Sequence, residues 1–300
     1  MPKRAVSNDR VARGFSGPIF AITVVLSLTA LLCAFYLAAP KWLWVAQVSA
    51  SWKKFALAFL VLSLVNCFVE YFFHRYVLHK EALPFLGGFY QAHHCIHHPL
   101  TRISKEKVKD GSGREILVLI NEYPITRPEQ KEASIFPWYS LITFGILATP
   151  LFVLFQWILP SFPWLFAGYG ALAFSLTLYE VAHFVEHLSL GWWLPLIDHP
   201  RWGWFWTKVY GFHLYHHAVI DCNEAISGFF LLPLGDIVFW TFKTPKTLFV
   251  TGEVWDQSKF EKSTPIWLIQ WLDNWTDQLQ KSRRAKLFEK TKRAKASAAN

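Results

Sequence analysis

The chain has 300 residues, 53% apolar and only 17% charged, with 16 Trp and 27 Phe. An ordinary soluble domain carries about a quarter charged residues, and this composition excludes a disordered protein, a collagen and a coiled coil. The net charge of +9 does not indicate a nucleic-acid partner. Lys and Arg sit at both ends and in one loop, between long apolar runs, which is how a membrane protein distributes them. Four Cys without a CxxC pair give no disulfide framework.

Four runs reach the roughly 20 apolar residues that a bilayer crossing takes. They cover residues 18–40, 55–73, 138–160 and 163–184. The first follows Lys3, Arg4, Arg10 and Arg13. Its apolar core is too long for a cleaved leader, and Leu37-Ala38-Ala39 before Pro40 is a poor cleavage site, so it is expected to stay as a span. Segments 1–17, 74–137 and 186–300 hold 27 of the 30 Lys and Arg. With four spans these segments share one side, which should be cytoplasmic, along with both termini. The expected architecture is an all-α, multi-pass membrane protein. It has a basic N-terminus (1–17), a membrane-embedded catalytic region (18–242) with a cytosolic helical cap, and an amphipathic basic tail (243–300).

The linking pieces are polar or aromatic. Residues 101–135 contain Gly111-Ser112-Gly113 and scattered charge, and read as a loop or small subdomain. Residues 191–206 hold five Trp and read as an interfacial segment. Leu268, Leu272, Trp275 and Leu279 repeat at helical spacing before Lys281, Arg283, Arg284 and Lys286. They suit a helix resting on an anionic leaflet, or one packed on the protein's own cap.

The chemistry lies in twelve histidines. His74 and His79 form HX4H. His94, His97 and His98 form HX2HH. His183 and His187 form HX3H, and His213, His216 and His217 a second HX2HH. His93 and His199 fall outside these groupings. Residues three or four apart share a helix face, so HX3H and HX2HH aim imidazoles to one side. HX4H fits an α-helical face less well, and His79 is expected past the last regular turn. Ten imidazoles exceed one tetrahedral site and suit two metal ions, with Fe, Zn and Cu all compatible.

A ligating imidazole usually donates its other N–H to a carboxylate or carbonyl. Glu70 precedes His74 by four residues and Glu180 precedes His183 by three, each at an apolar helix end. Both are candidate partners of the ligands; the alternative is an ordinary interfacial acid or an ion pair, for instance with Arg75. Glu186, Asp198 and Asp221 are less well placed. Cys95 points off the histidine face, and Asn223 and Glu224, which follow the last cluster, are candidates for shaping the site, with a polar turn the plainer reading.

With these clusters in this order, the chain resembles the fatty acid hydroxylase/sterol desaturase superfamily of integral-membrane di-iron oxygenases. The resemblance covers residues 69–242 and is greatest to the fatty acid 2-hydroxylase branch. It rests on residues 70–79 (EYFFHRYVLH), 178–183 (LYEVAH), and the His213 cluster running on to Gly228-Phe229 and Asp236. The resemblance implies metal ligation by His74, His79, His94, His97, His98, His183, His187, His213, His216 and His217. It further implies two Fe (Zn substituting on expression), O2 as co-substrate, and hydroxylation of a fatty acyl or sphingolipid-type chain. Electrons would come from a separate b-type cytochrome, ferredoxin or reductase, since no haem, flavin or iron–sulfur motif is seen in these 300 residues. A lipid or sterol desaturase and a carotenoid hydroxylase are alternatives within the superfamily. A histidine-rich metal transporter or metal-binding membrane protein is the alternative from another class.

Overall fold

The computed structural model describes residues 16–109, 112–122, 135–245, 248 and 260–298. The basic residues Lys3, Arg4, Arg10 and Arg13, and Gly111 of the 101–135 loop, lie outside the described residues.

The chain is mostly helical. Helix α1 (Gly17–Ala38) starts at Pro18, whose missing N–H is no loss in a first turn, and ends before Pro40. The short α2 (Lys41–Val48) leads to α3 (Trp52–Phe73), where the Ser51 hydroxyl accepts the Lys54 N–H. A π-helical turn, His74–Leu78, extends α3 without a break. Next come α4 (Gly87–Tyr90), a second π-helical segment Gln91–His97, and α5 (His98–Leu100). Strands β1 (Arg102–Lys109) and β2 (Glu115–Glu122) follow, then α6 (Ser140–Ile158) and α7 (Trp164–Glu186). The remaining helices are α8 (Leu190–Ile197), α9 (Gly203–Ala218), α10 (Leu234–Phe239) and α11 (Trp267–Ala298).

Four helical stretches are long and apolar enough to cross a membrane: α1, α3 with its π turn (Trp52–Leu78), α6 and α7. Their outward faces leave Leu37, Leu147 and Trp157 exposed, which hydrocarbon tolerates and water does not. Inside, Leu31, Leu62, Phe152 and Leu165 form the core of the bundle. A Cβ on Gly168 would lie 2.7 Å from the Phe152 ring, so only glycine lets α6 and α7 approach this closely. At the end away from the histidines, Gln47 Oε1 accepts the Leu165 and Phe166 N–H groups (3.1 and 3.3 Å). Gln156 Oε1 accepts the Trp164 N–H (3.2 Å) and the Gln47 Nε2 (3.0 Å). Two amides thus satisfy the orphan donors of the first turn of α7.

The 101–135 segment is in part a β-hairpin rather than a bare loop. β1 and β2 pair antiparallel, Ile103 opposite Asn121 and Val108 opposite Ile116. Alternation puts Ile116, Val118 and Ile120 on one face, in a buried cluster with Tyr210 and Leu214 of α9. In the Trp-rich interval, Trp193 is buried and its Nε1 donates to the Val185 carbonyl (3.2 Å), while Trp192, Trp202 and Trp204 are exposed. On α11, Ile269 and Leu272 pack against Tyr71 and Phe239, and Trp267, Trp271 and Trp275 are left outward at i, i+4 and i+8. The helix therefore lies on the protein with an aromatic stripe facing away from it.

Sidedness is open to a direct check, in a chain whose exposed Cys33 and Cys95 are replaced by serine. Ser112→Cys is expected to react with an impermeant thiol reagent from the cytoplasmic side, and Ser49→Cys from the opposite side only. Reaction of both from one side would contradict the four-span arrangement.

Candidate metal centre

The two π-helical segments set the site. In the first, the His79 N–H bonds to the His74 carbonyl (3.1 Å), five residues back. A turn closed i→i+5 takes in one more residue than an α-turn, so it brings positions five apart onto one face. His79 caps this π turn as the residue after Leu78, past the last regular turn as expected, and its ring comes back beside His74 (centroids 4.8 Å, 28°). In the second, the His98 N–H bonds to the His93 carbonyl. The wider turn groups His93 with His97 and His98 and rotates His94 away.

Nine histidines form two buried groups whose ring nitrogens lie within 4.8 Å of one another inside each group. His97, His183, His187, His213 and His217 make one group; His74, His79, His93 and His216 make the other. His98 sits between them. Its Nε2 is 3.1 Å from His93 Nε2, and its ring centroid is 4.4 Å from that of His217. His94, expected as a ligand, lies at the rim. It stacks on Tyr90 (5.0 Å, 15°), with its Nδ1 3.4 Å from His79 Nδ1. His93, expected to lie outside the site, takes the inner place. His199 stays apart, its Nδ1 accepting the Arg201 and Trp202 N–H groups (3.2 and 3.1 Å).

The Nε2 atoms converge. The pairs are His74–His93 at 2.9 Å, His79–His216 at 3.1 Å and His97–His183 at 3.2 Å, with His213 at 3.0 Å from both His187 and His217. Nitrogens bound at about 2.1 Å to one ion, at right angles, sit about 3 Å apart. His74 Nδ1 donates to the Glu224 carbonyl (2.5 Å) and His216 Nδ1 to the Cys222 carbonyl (2.7 Å). That fixes their tautomers and leaves an Nε2 lone pair pointing at the group. Glu186 Oε2 lies 3.5 Å from His213 Nδ1. Glu224 Oε2, buried without a hydrogen-bond partner, is 3.8 Å from His74 Nδ1 and 3.9 Å from His79 Nε2. Convergent lone pairs backed by carbonyls and carboxylates fit cations. Both groups could hold a metal ion.

The expected roles of Glu70 and Glu180 are replaced by structural ones. Glu70 accepts the Ser227 hydroxyl, the Ser227 N–H (2.7 Å) and the Gly228 N–H (3.0 Å). Gly228 has φ +50, and a Cβ there would lie 2.2 Å from the Leu232 carbonyl oxygen, so the turn that Glu70 ties down needs glycine. Glu180 accepts the Phe136 N–H (2.7 Å). The group nearer the histidines is Glu224, held by a polar turn. Asp236 accepts the Glu224 and Ala225 N–H groups (2.9 and 2.8 Å), and Asn223 Nδ2 donates to the Phe212 and Lys243 carbonyls (both 2.7 Å). Arg75 is buried between α3 and α11, bonding Glu224 Oε1 (3.1 Å) and, with two nitrogens, Asp273 (2.9 and 2.6 Å). Cys95 is exposed and belongs to neither group.

Burial pushes His79, His93, His97, His98, His187, His213 and His217 well below the ordinary imidazole range, with neighbouring imidazoles adding to the effect. Burial also takes His216 down to about 4. The rings are neutral at pH 7, the form that binds metal. Metal-free protein should therefore lose stability as pH falls from about 6.5, the unfolded imidazole value, towards 4, because the unfolded chain takes up protons that the folded one refuses. Thermal unfolding of chelator-treated protein should show a midpoint that drops across this window. A flat profile would contradict the buried neutral cluster.

Two cavities reach the histidines. One, of about 370 Å³, runs between α3, α6 and α7 from His74 and Tyr179 down to Phe152 and Leu172. The other, of about 380 Å³, is lined by His93, His183, Phe89 and Glu180. Leu78, Phe85, Leu86, Phe136 and Tyr179 line both.

Fold and site together define a helical membrane protein with four candidate spans and two buried histidine groups able to hold metal ions. No protein-family model, curated protein or solved structure matches the chain.

Proposed function

We propose that this protein is an O2-dependent di-iron oxygenase that hydroxylates the aliphatic chain of a membrane lipid. The observation that carries the reading is a pair of convergent histidine groups, one of which opens through His74 onto the head of an apolar cavity between candidate spans. The histidine spacing gives the class of chemistry, by its resemblance to the fatty acid hydroxylase/sterol desaturase superfamily.

The histidines His74, His79, His93 and His216 would hold one ion, and His97, His183, His187, His213 and His217 the other, with His98 between. Iron bound there supplies the O2 activation and C–H cleavage that side chains alone lack. The chain's own contribution is binding, orientation and exclusion of water. Val69, Phe73, Leu147 and Leu176 offer an apolar wall for an acyl chain entering from the bilayer. Tyr179, stacked on His183 (5.7 Å, 23°), stands where that wall meets the histidines. The Glu224 and Cys222 carbonyls keep His74 and His216 in one tautomer, so the ligand set needs no rearrangement when it is loaded. Electrons would come from a separate donor protein on the cytoplasmic face.

The test is lipid profiling of cells with and without the gene, followed by incubation of membranes with isotopically labelled O2 and an electron donor. The expected product is one oxygen heavier and carries the label. A product lacking two hydrogens would make the protein a desaturase. Metal flux into sealed vesicles with no oxidised lipid would replace the oxygenase reading by a transporter.

A further inference from the structure

The cavity beside His74 is lined mostly by apolar side chains, with Glu70 and Ser227 among its few polar ones. Further from His74, and short of the apolar end at Phe152 and Leu172, Asn66 of α3 and Ser175 of α7 line it as a second polar pair. Each lies eight residues before a histidine of the site, His74 and His183 respectively. At 1.5 Å per residue the pair is about 12 Å below the histidines. Asn66 is only 8% exposed and sits within a candidate span. Its Nδ2 donates to Ser175 Oγ over 3.4 Å, a long bond. A carboxamide has two N–H donors and a carbonyl acceptor, and an unmatched polar group at this depth is costly.

Asn66 and Ser175 continue the faces of α3 and α7 that carry Ala58 and Ala171 in the core, eight and four residues further on. Unlike those alanines, they also border the cavity. They present a donor and an acceptor to whatever fills the cavity.

We propose that Asn66 and Ser175 form a binding site for an oxygen function, a hydroxyl or a carbonyl, carried by the substrate about 12 Å along the helices from His74 and His183. The substrate class is then a lipid polar at two places, rather than a plain hydrocarbon chain. This rests on the lipid-oxidising reading above and narrows it. The carboxamide donates to a carbonyl or accepts from a hydroxyl, and Ser175 takes the complementary role. A chain with no such group leaves the amide unmatched and binds less tightly.

The experiment is displacement of a fluorescent fatty acid from the purified, metal-loaded chain under nitrogen, so that turnover plays no part. The competitors are octadecanoate and a series of octadecanoates with one hydroxyl moved along the chain. One stretch of hydroxyl positions should bind about tenfold tighter than octadecanoate, the scale of one well-placed hydrogen bond. Asn66→Leu should erase that preference while octadecanoate still binds, and Ser175→Ala should weaken it. Equal displacement by every member, or a preference that survives both substitutions, would overturn this inference and leave the lipid reading in place. No displacement by any member would overturn both.

Discussion

Replacing His216 with alanine is expected to remove a metal ion from the chain and abolish lipid oxidation. The ring is fully buried, its Nδ1 is fixed by the Cys222 carbonyl, and its Nε2 faces His79 at 3.1 Å. His183→Ala should do the same in the other group, where Nε2 lies 3.2 Å from His97 Nε2. The sharper comparison is between neighbours. His93→Ala should lower the metal content, because that ring lies among His74, His79 and His98. His94→Ala should keep both ions, because that ring is stacked on Tyr90 at the rim. His199→Ala should leave metal and activity unchanged. Loss of metal in the His94 variant with retention in the His93 variant would show that the second segment is α-helical in register, not π-helical.

Arg75→Met is expected to destabilise the folded chain by about 3–5 kcal/mol, the usual cost of removing one member of a buried ion pair. The guanidinium is buried between Glu224, itself fully buried, and Asp273. Without it Glu224 loses its only cation partner among the described ion pairs, and its second oxygen still faces His74 and His79. Asp273 is partly solvated and keeps Lys80 at 3.4 Å, so Asp273→Asn should cost less. The measurement is unfolding in detergent at fixed metal loading. A cost within error of zero for Arg75→Met would mean that α11 is not tied to the site through this residue.

The spans were legible because a bilayer demands one long apolar run per crossing, and their limits agree with the structure to within a few residues. The clustering of histidines was legible because ligand spacing is written in the local sequence. What sequence could not give was the helix type. Under α-helical periodicity His94 belongs with His97 and His98, and His93 points elsewhere. The π-helical hydrogen bonds of Gln91–His97 reverse this, and neither composition nor propensity marks where a π turn forms. By their place along the chain, Glu70 and Glu180 read as partners of the nearest histidine. The structure gives Glu70 to Ser227 and Gly228, more than 150 residues away, and Glu180 to Phe136. Glu224 reads locally as part of a polar turn; in the structure it lies just past the turn at residues 220–221, and Asp236 holds its backbone beside His74. That relation is tertiary and has no local signature. The hairpin at 102–122 is hidden because neither strand alternates clearly: residues 116–120 are one unbroken apolar run, which periodicity does not tell from a helix, and residues 102–109 are mostly polar.

The most direct test is the metal content of the full chain, purified from iron-replete cells without chelator and measured by elemental mass spectrometry against protein concentration. Two histidine groups predict two ions per chain, with zinc counted alongside iron because it competes for nitrogen sites. One ion or none in well-folded protein would contradict the dinuclear centre.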